Sequence, residues 1–329
     1  MNNTRADIMA LFNGKRLSSS PIFSGLIAVT IEALKREGMR LPEVHHGAGN
    51  MAKASASTFR LTGMPSATLP FDLGVEAEAL GAVLNFSHED RFPLPAAPPA
   101  ASVKEIVVPP DALTRGRLPV VREGIARLKQ EIGNEVVISG MIPGPYTLLL
   151  LLVEPGSLFR EMKKEALAVS QALEQLADLL VQVGRAYKDA GADFITIHDM
   201  GGSPGFIGPA RYEQFVFPAE RRLIAGLPRP RVLSVCGNVT GSLQLLDQTG
   251  AEAVSLDQTV DLKAARDVLK RTLLFGNIDP AATLWQGEEA QITEAVRGAR
   301  EAGVDAIWPG CDLVPMTPIG NIQAMMGVF

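Results

Sequence analysis

The sequence predicts an α/β protein, a (β/α)8 TIM barrel of one domain over residues 1–329, with an N-terminal elaboration. In its second half, short β-branched runs alternate with stretches whose apolar residues recur at helical spacing. A helix-ending glycine followed directly by a strand occurs three times, at residues 189–193, 248–252 and 301–305. Because parallel strands need crossover helices, this repeated junction is typical of a parallel sheet.

The predicted elements are less regular in the first half. Residues 21–29 and 67–71 are the candidate first and second barrel strands. Residues 91–110 hold six prolines and are predicted to form an extended surface excursion. Beyond them, the predicted strands are residues 135–139, 193–197, 231–235, 251–256, 272–275 and 304–307. The predicted helices are residues 161–190, 210–225, 242–248, 262–270 and 289–302.

Composition excludes several classes of protein. An apolar fraction of 47% with 20% charged residues is that of a globular chain with a large core. The net charge of −5 and the dispersed basic residues give no nucleic-acid-binding surface. The N-terminus lacks a signal-peptide core, and the longest apolar run, residues 148–153, is too short to cross a bilayer. Two cysteines form no disulfide framework, so we expect a cytoplasmic protein without nucleic-acid or membrane partners.

Cys236 and Cys311 each follow a predicted strand. In a barrel both thiols emerge at the end where the strands finish, which is where barrel enzymes keep their chemistry. Two soft ligands at one end of a barrel indicate a thiolate metal site. Two buried, inert cysteines fit the same positions, because free cysteine packs as a small apolar residue. Position alone leaves both interpretations open.

Other predicted strands also end in polar side chains. His198 and Asp199 precede a glycine-rich turn and are candidates for a ligand or a general base, or for bonds that only stabilise the turn. Asp257 follows the next strand but one and suits substrate binding or helix capping equally. Asp279-Pro resembles a helix N-cap, so Asn277 is the better candidate for a substrate contact.

The first half offers fewer candidates. Asp72 stands at the start of an acidic first helical turn that includes Glu76 and Glu78. Acidic residues there complement the helix dipole, so neither glutamate needs a function. His45 and His46 lie in a polar, glycine-rich stretch, where adjacent side chains seldom converge on one ion. We therefore predict no metal site at this pair.

Five segments point to a known family: residues 71–81 (FDLGVEAEALG), 144–147 (GPYT), 235–240 (VCGNVT), 276–280 (GNIDP) and 309–321 (PGCDLVPMTPIGN). In order and spacing they resemble the MtaA/CmuA-type corrinoid methyltransferase branch of the uroporphyrinogen decarboxylase superfamily. The resemblance runs from about residue 20 to the C-terminus. It implies an enzyme, a methylcobamide-dependent methyltransferase, built as a TIM barrel with zinc at its mouth. It also implies that a separate corrinoid protein carries the cobalamin, and that zinc makes the acceptor thiol a thiolate at neutral pH.

The resemblance implies metal ligation by Cys236 and Cys311. Where the branch has His-x-Cys, this chain has Ser234-x-Cys236, and a hydroxyl is a poor zinc ligand beside imidazole. Either a neighbouring side chain completes the donor set or the metal is lost and the pocket works by hydrogen bonding. The candidates to complete the set are His198, Asp199 and Asp257.

The remaining site predictions divide into two groups. The predicted catalytic residues are Asp199 and Asp72. The predicted substrate contacts are His198, Asp257, Asn277 and Tyr146. The substrate is a small methyl donor or acceptor, either a coenzyme M-like thiol or tetrahydrofolate, and the chain is a monomer or a homodimer.

Two other functions stay open. One is a carboxy-lyase with Asp72 or Asp199 as its acid. Uroporphyrinogen itself is a poor candidate for the substrate, because residues 22–28 hold no arginine to pair with its carboxylates. The other is a non-catalytic relative that only binds the corrinoid protein, a hypothesis prompted by Ser234.

Overall fold

Parallel strands form the main sheet of the protein. The structure is a computed structural model that describes residues 4–327. The strands are β1 Ser66–Leu69, β2 Leu84–Asn85, β3 Leu94–Pro95, β4 Val137–Pro143, β5 Phe194–Asp199, β6 Arg231–Val235, β7 Ala253–Leu256 and β8 Leu273–Phe275. Six of them pair in parallel in the order β1-β4-β5-β6-β7-β8, while β2 and β3 form a separate antiparallel ribbon. The predicted parallel α/β fold is confirmed.

Two irregular segments complete the barrel between β8 and β1. Residues 306–309 form parallel bridges with β8 and its extension, and Ile307 also pairs with Ile22. The amide of Ser24 donates a hydrogen bond of 2.9 Å to Ser66 Oγ on β1, which joins the last edge. The segments predicted as strands at residues 21–29 and 304–307 therefore contribute isolated bridges instead of regular strands.

Helices surround the sheet. Within residues 4–327 the α-helices are α1 Arg5–Phe12, α2 Ile31–Arg36, α3 Ala48–Thr62, α4 Val75–Ala79, α5 Leu118–Ile132, α6 Pro145–Leu152, α7 Pro155–Lys164, α8 Ala166–Asp189, α9 Pro204–Ile207, α10 Pro209–Arg211, α11 Phe217–Gly226, α12 Leu243–Leu246, α13 Leu262–Val268, α14 Glu289–Glu301 and α15 Ile319–Met326. Short 3₁₀ helices are Leu41–His45, Val103–Glu105, Ala112–Thr114 and Thr240–Ser242, and π-helical turns are Tyr212–Val216 and Pro280–Trp285. No helix in this part of the chain is long and apolar enough to cross a membrane.

Two predicted helices are interrupted. The one predicted at residues 161–190 is two helices, α7 and α8, because Glu165 leaves helical geometry at φ −133° and ψ 41°. The helical region starts earlier than predicted, at the N-cap Glu154, whose carboxylate accepts hydrogen bonds from the amides of Gly156 and Ser157 in the first turn of α7. The helix predicted at residues 210–225 contains a π-helical turn before α11. Pro218 has no N–H for the carbonyl of Gln214, which disfavours a regular α-helical turn there.

Apolar side chains fill the lower barrel. One buried cluster contains inward side chains of the strands, among them Val137, Phe194 and Val232, together with Ile8, Leu11 and Phe12 of α1. Helix α1 thus seals the end of the barrel at which the strands begin. Because side chains alternate along a strand, every second residue beyond this cluster also faces the interior, toward the opposite end. That opposite end, where β4, β5 and β6 finish, is termed the mouth.

Candidate functional site

The strand register places three polar side chains at one level of the barrel interior. His198 on β5 is paired with Ser234 on β6, and Ser234 is paired with Ser255 on β7. All three side chains are fully buried. Two residues further along, Cys236 follows β6 and Asp257 follows β7, so both stand one level closer to the mouth. The amide of Cys236 continues the sheet by donating to the carbonyl of Asp199 at 3.2 Å.

The two cysteines meet at the mouth. Cys236 Sγ lies 2.6 Å from Cys311 Sγ, and His198 Nε2 lies 3.9 Å from Cys311 Sγ. The ligand atoms of His198, Cys236 and Cys311 all lie within 4.8 Å of one another. Two sulfur donors and one imidazole nitrogen therefore converge on a single point.

A carboxylate stands beside this group. Asp312 Oδ2 lies 3.2 Å from His198 Nε2, and the amide of Ile27 donates a 2.9 Å bond to Asp312 Oδ1. The carboxylate is therefore fixed between β5 and the N-terminal segment of the barrel. Asp312 was not among the predicted site residues, although it lies next to Cys311 within one of the five family segments.

The charges of the site favour a deprotonated sulfur. The hydrogen bond from Cys236, which is the largest cause, and the contact with His198 together lower the pKa of Cys311 to about 6 against the effect of burial. The same sulfur contact, together with burial, raises the pKa of Cys236 well above its ordinary value. Burial disfavours a charged His198, but Asp312 and Cys311 outweigh it and raise the pKa of the imidazole. At neutral pH the site thus holds one thiolate.

Comparison with models of known protein families gives a match over almost the whole chain. The family model described as uroporphyrinogen decarboxylase matches residues 3–329. The chain belongs to the uroporphyrinogen decarboxylase family.

Members with full-length similarity carry methyltransferase names. "Methylcobamide:CoM methyltransferase MtaA" of Methanosarcina barkeri is 31% identical over 97% of this chain and 95% of the relative. "Methylcobamide:CoM methyltransferase MtbA" of Methanosarcina acetivorans is 30% identical over 90% of this chain and 88% of the relative. A solved "methyltransferase from Methanosarcina mazei" is 30% identical, with a TM-score of 0.95, and covers 99% of this chain and 98% of its own.

In this family member, the predicted substrate residues Asp257 and Asn277 brace the loops of the mouth. Asp257 Oδ1 accepts bonds from the amide and hydroxyl of Thr259, at 2.8 and 2.7 Å. Asn277 Nδ2 donates to the carbonyls of Asp257 and Val260, at 2.9 and 2.8 Å. These bonds use both amide hydrogens of Asn277 to hold the loop that follows β7.

The predicted substrate residue Tyr146 lies on α6, outside the donor group of His198 and the cysteines. Its side chain is fully buried, and its hydroxyl donates to Met162 Sδ at 3.3 Å. Burial raises the pKa of Tyr146 to about 12, so the phenol stays neutral. These contacts give Tyr146 a packing role in this structure.

Asp199 points away from His198, because neighbouring side chains on a strand face opposite sides. Its Oδ1 accepts a 2.7 Å bond from Thr147 Oγ1 and a 2.6 Å bond from the amide of Gly202. Burial raises the pKa of Asp199. These contacts fix the loop that follows β5 and hold the strand end that carries His198.

Asp72, the second predicted catalytic carboxylate, is held by a guanidinium. Arg117 Nη1 and Nη2 donate to Asp72 Oδ2 and Oδ1, at 2.8 and 2.9 Å. His45 Nδ1 lies 3.3 Å from Asp72 Oδ2. Despite complete burial, His45 and Arg117 hold the pKa of Asp72 well below its usual range. A carboxylate held ionised in this way is unsuited to the role of general acid.

The acidic first helical turn with Glu76 and Glu78 is present in α4, but its surroundings and those of His45 in the histidine pair are more buried than a polar loop or turn suggests. His45 is not in an open polar loop; it ends a 3₁₀ helix and is buried against Asp72. Glu78 binds Arg117 Nε at 2.8 Å. Glu76 is fully buried, with its Oε1 3.5 Å from the hydroxyl of Tyr187, and burial raises its pKa to about 8. Composition gave no sign of this burial, which arises from tertiary packing.

Proposed function

We propose that this protein is a methyltransferase that moves a methyl group between a corrinoid and a small thiol of the coenzyme M kind. A partner protein carries the corrinoid. The observation that carries the proposal is the convergence of His198, Cys236 and Cys311 within 4.8 Å at the mouth. The names of the full-length relatives, methylcobamide:CoM methyltransferases, support the choice of methyl donor and acceptor. They also favour a thiol over tetrahydrofolate.

The donor set fits zinc. Two cysteine sulfurs and one imidazole nitrogen form a three-ligand set that leaves a fourth position for substrate, as in catalytic zinc sites. Zinc ligands must be deprotonated, and Cys311, with its pKa lowered to about 6, meets that condition at neutral pH. When bound, zinc would act as a Lewis acid that lowers the pKa of the incoming thiol and presents it as a thiolate.

His198 supplies the imidazole that Ser234 lacks. The two residues are paired in register on adjacent strands, so the imidazole reaches the cysteines from β5 at the level where β6 carries a hydroxyl. This geometry supports a ligand role for His198 over the substrate contact expected from the sequence. It also removes the reason for the non-catalytic alternative, because the donor set has three members without Ser234.

Asp312 is placed to accept a proton from His198. Its Oδ2 is 3.2 Å from Nε2, so the carboxylate is in place to take the proton that leaves this nitrogen when His198 becomes a ligand. The Ile27 amide holds Asp312 Oδ1 at 2.9 Å and keeps the carboxylate directed at the imidazole. Asp199 supports the same strand end from the outer side through Thr147 and Gly202.

The contacts of Asp72 disfavour a carboxy-lyase. This alternative needs a carboxylic acid that gives up a proton, yet the bidentate bond from Arg117 keeps Asp72 ionised. Asp199, the other candidate acid, directs its carboxylate to the loop outside the barrel. Neither carboxyl group joins the donor group at the mouth.

Metal analysis combined with a methyl-transfer assay tests the proposal. We expect about one zinc ion per chain in the parent protein, and less in the Cys236→Ala, Cys311→Ala and His198→Ala variants. His88→Ala, which removes an exposed histidine outside the site, is the matched control and should keep the metal.

The assay mixes zinc-loaded protein with methylcobalamin and coenzyme M. Loss of methylcobalamin absorbance should require both the thiol and the cysteines. Equal zinc content in the parent and the cysteine variants would refute the proposed metal site. Demethylation that needs tetrahydrofolate instead of the thiol would overturn the proposed acceptor.

A further inference from the structure

Three fully buried polar atoms beneath the cysteines lack hydrogen-bond partners. They are His198 Nδ1, Ser234 Oγ and Ser255 Oγ, and none has a partner within residues 4–327. The register places the three residues side by side on β5, β6 and β7. Adjacent strands are about 4.8 Å apart, so the three inward side chains line one small region of the barrel interior.

Such a row is costly unless something bonds to it. Each buried donor or acceptor without a partner destabilises the folded protein, and here three lie together. Proteins satisfy groups of this kind with an ordered water that makes about two to four hydrogen bonds. A serine hydroxyl both donates and accepts, so the two serines suit a water molecule and an imidazole N–H.

The orientation of His198 indicates what Ser234 and Ser255 do beside it. Nε2 faces Asp312 at 3.2 Å and Cys311 at 3.9 Å, so Nε2 is the nitrogen directed to the donor group. When Nε2 binds a metal, the proton of the neutral ring resides on Nδ1, which then needs an acceptor. Metal-binding histidines almost always donate their other N–H to a carboxylate, a carbonyl or a water.

We propose that a buried water bridges His198 Nδ1 to Ser234 Oγ, with Ser255 Oγ as its further partner, and orients the imidazole toward the cysteines. Ser234 is then a positioning residue and not a metal ligand. This inference rests on the metal site of the proposed function. It explains why β6 carries a small hydroxyl residue directly opposite the histidine: a larger side chain would fill the space of the water.

Zinc affinity, measured by competition with a chromophoric chelator, tests the water bridge. Ser234→Ala should weaken zinc binding roughly 10- to 100-fold, the usual effect of losing a group that orients a metal ligand. Ser255→Ala should weaken it less, because Ser255 is only the further partner of the water. Ser139→Ala is the matched control, because this buried barrel serine bonds to Gly25 O at 3.1 Å and Thr196 Oγ1 at 2.8 Å.

Cobalt substitution separates positioning from direct ligation. If Ser234 only positions His198, the cobalt-loaded Ser234→Ala variant should keep the charge-transfer and d–d bands of the parent, at a higher cobalt concentration. A changed d–d spectrum would show that Ser234 is itself a ligand and would overturn the inference. Parent-like zinc affinity in Ser234→Ala would overturn it as well.

A crystal structure of the parent gives a test that needs no metal. Water density within hydrogen-bond distance of both His198 Nδ1 and Ser234 Oγ is the expected result, and its absence at high resolution contradicts the inference. The outcomes also distinguish the two proposals. Zinc binding that weakens in Ser234→Ala while the parent shows no methyl transfer refutes the function alone. Methyl transfer with unchanged Ser234→Ala affinity refutes the water bridge alone.

Discussion

Replacing Cys236 with alanine should raise the pKa of Cys311. The hydrogen bond across 2.6 Å from Cys236 is the largest cause of the lowering from the ordinary 9.0 to about 6. That lowering corresponds to about 4 kcal/mol of stabilisation of the thiolate over the thiol. At pH 7 a pKa of about 6 leaves roughly nine-tenths of Cys311 as thiolate, whereas the ordinary pKa of 9.0 would leave roughly one-hundredth.

Alkylation of the metal-free protein measures this shift. Iodoacetamide reacts with the thiolate, so the rate at Cys311, followed by peptide mass spectrometry, rises with pH through its pKa and then levels off. In the parent the rate should level off above about pH 7, whereas in Cys236→Ala it should continue to rise. The same midpoint in both proteins, or a parent midpoint close to 9, would refute the stabilisation of the Cys311 thiolate by a hydrogen bond from Cys236.

Three further substitutions test the packing around the site. Glu76 has a pKa of about 8 when folded and 4.5 ordinarily, so unfolding releases its proton between those values and stability falls as pH rises through that window. Glu76→Gln removes this loss of stability. At pH 9 its free energy of unfolding in urea should therefore exceed that of the parent by up to about 5 kcal/mol. Arg117→Ala leaves Asp72 buried without its guanidinium partner. It should lower the free energy of unfolding by about 3–5 kcal/mol, measured by urea unfolding at pH 7. Gly25→Ala places a Cβ 2.5 Å from the Trp308 ring and should cost about 1–3 kcal/mol by the same measurement.

Each substitution has its own contradictory outcome. A parent whose stability does not change between pH 5 and pH 9 would contradict the burial of an acidic Glu76. A change below about 1 kcal/mol in Arg117→Ala would show that the Arg117–Asp72 pair is exposed to solvent. Gly298→Ala is the control for Gly25→Ala, because a Cβ at Gly298 meets no atom within 4 Å.

The sequence was sufficient to predict that Cys236 and Cys311 lie at the same end of the barrel, whereas the contact between their sulfurs came from the structure. Both follow strand-like runs, and parallel strands of one barrel finish at the same end, so no distance information was needed. The alternation of strands and helices was predictable for the same reason, since each helix-ending glycine is visible in the chain.

The role of His198 depends on register, which the sequence does not specify. Its placement opposite Ser234 follows from which residues pair between β5 and β6, and a shift of one residue would turn the imidazole outward. The contact between His198 and Asp312 joins residues 114 positions apart, beyond the reach of any local pattern.

Tertiary packing also overrode local expectations elsewhere. His45 and Glu76 occupy stretches whose composition indicates a solvent-exposed loop and turn, yet both are buried beside Asp72. The break at Glu165 has no proline or glycine to mark it, so periodicity alone extends one helix through it. For His45 and Glu76 the contacts come from residues that are distant in the chain, Asp72 and Tyr187 respectively.

Zinc K-edge X-ray absorption on the purified protein tests the central claim most directly. We expect a metal with two sulfur neighbours at about 2.3 Å and a nitrogen at about 2.0–2.1 Å. We also expect the loss of one sulfur neighbour in Cys311→Ala and of the nitrogen in His198→Ala. Zinc surrounded only by nitrogen and oxygen, or an unchanged spectrum in Cys311→Ala, would contradict a metal held by these three side chains.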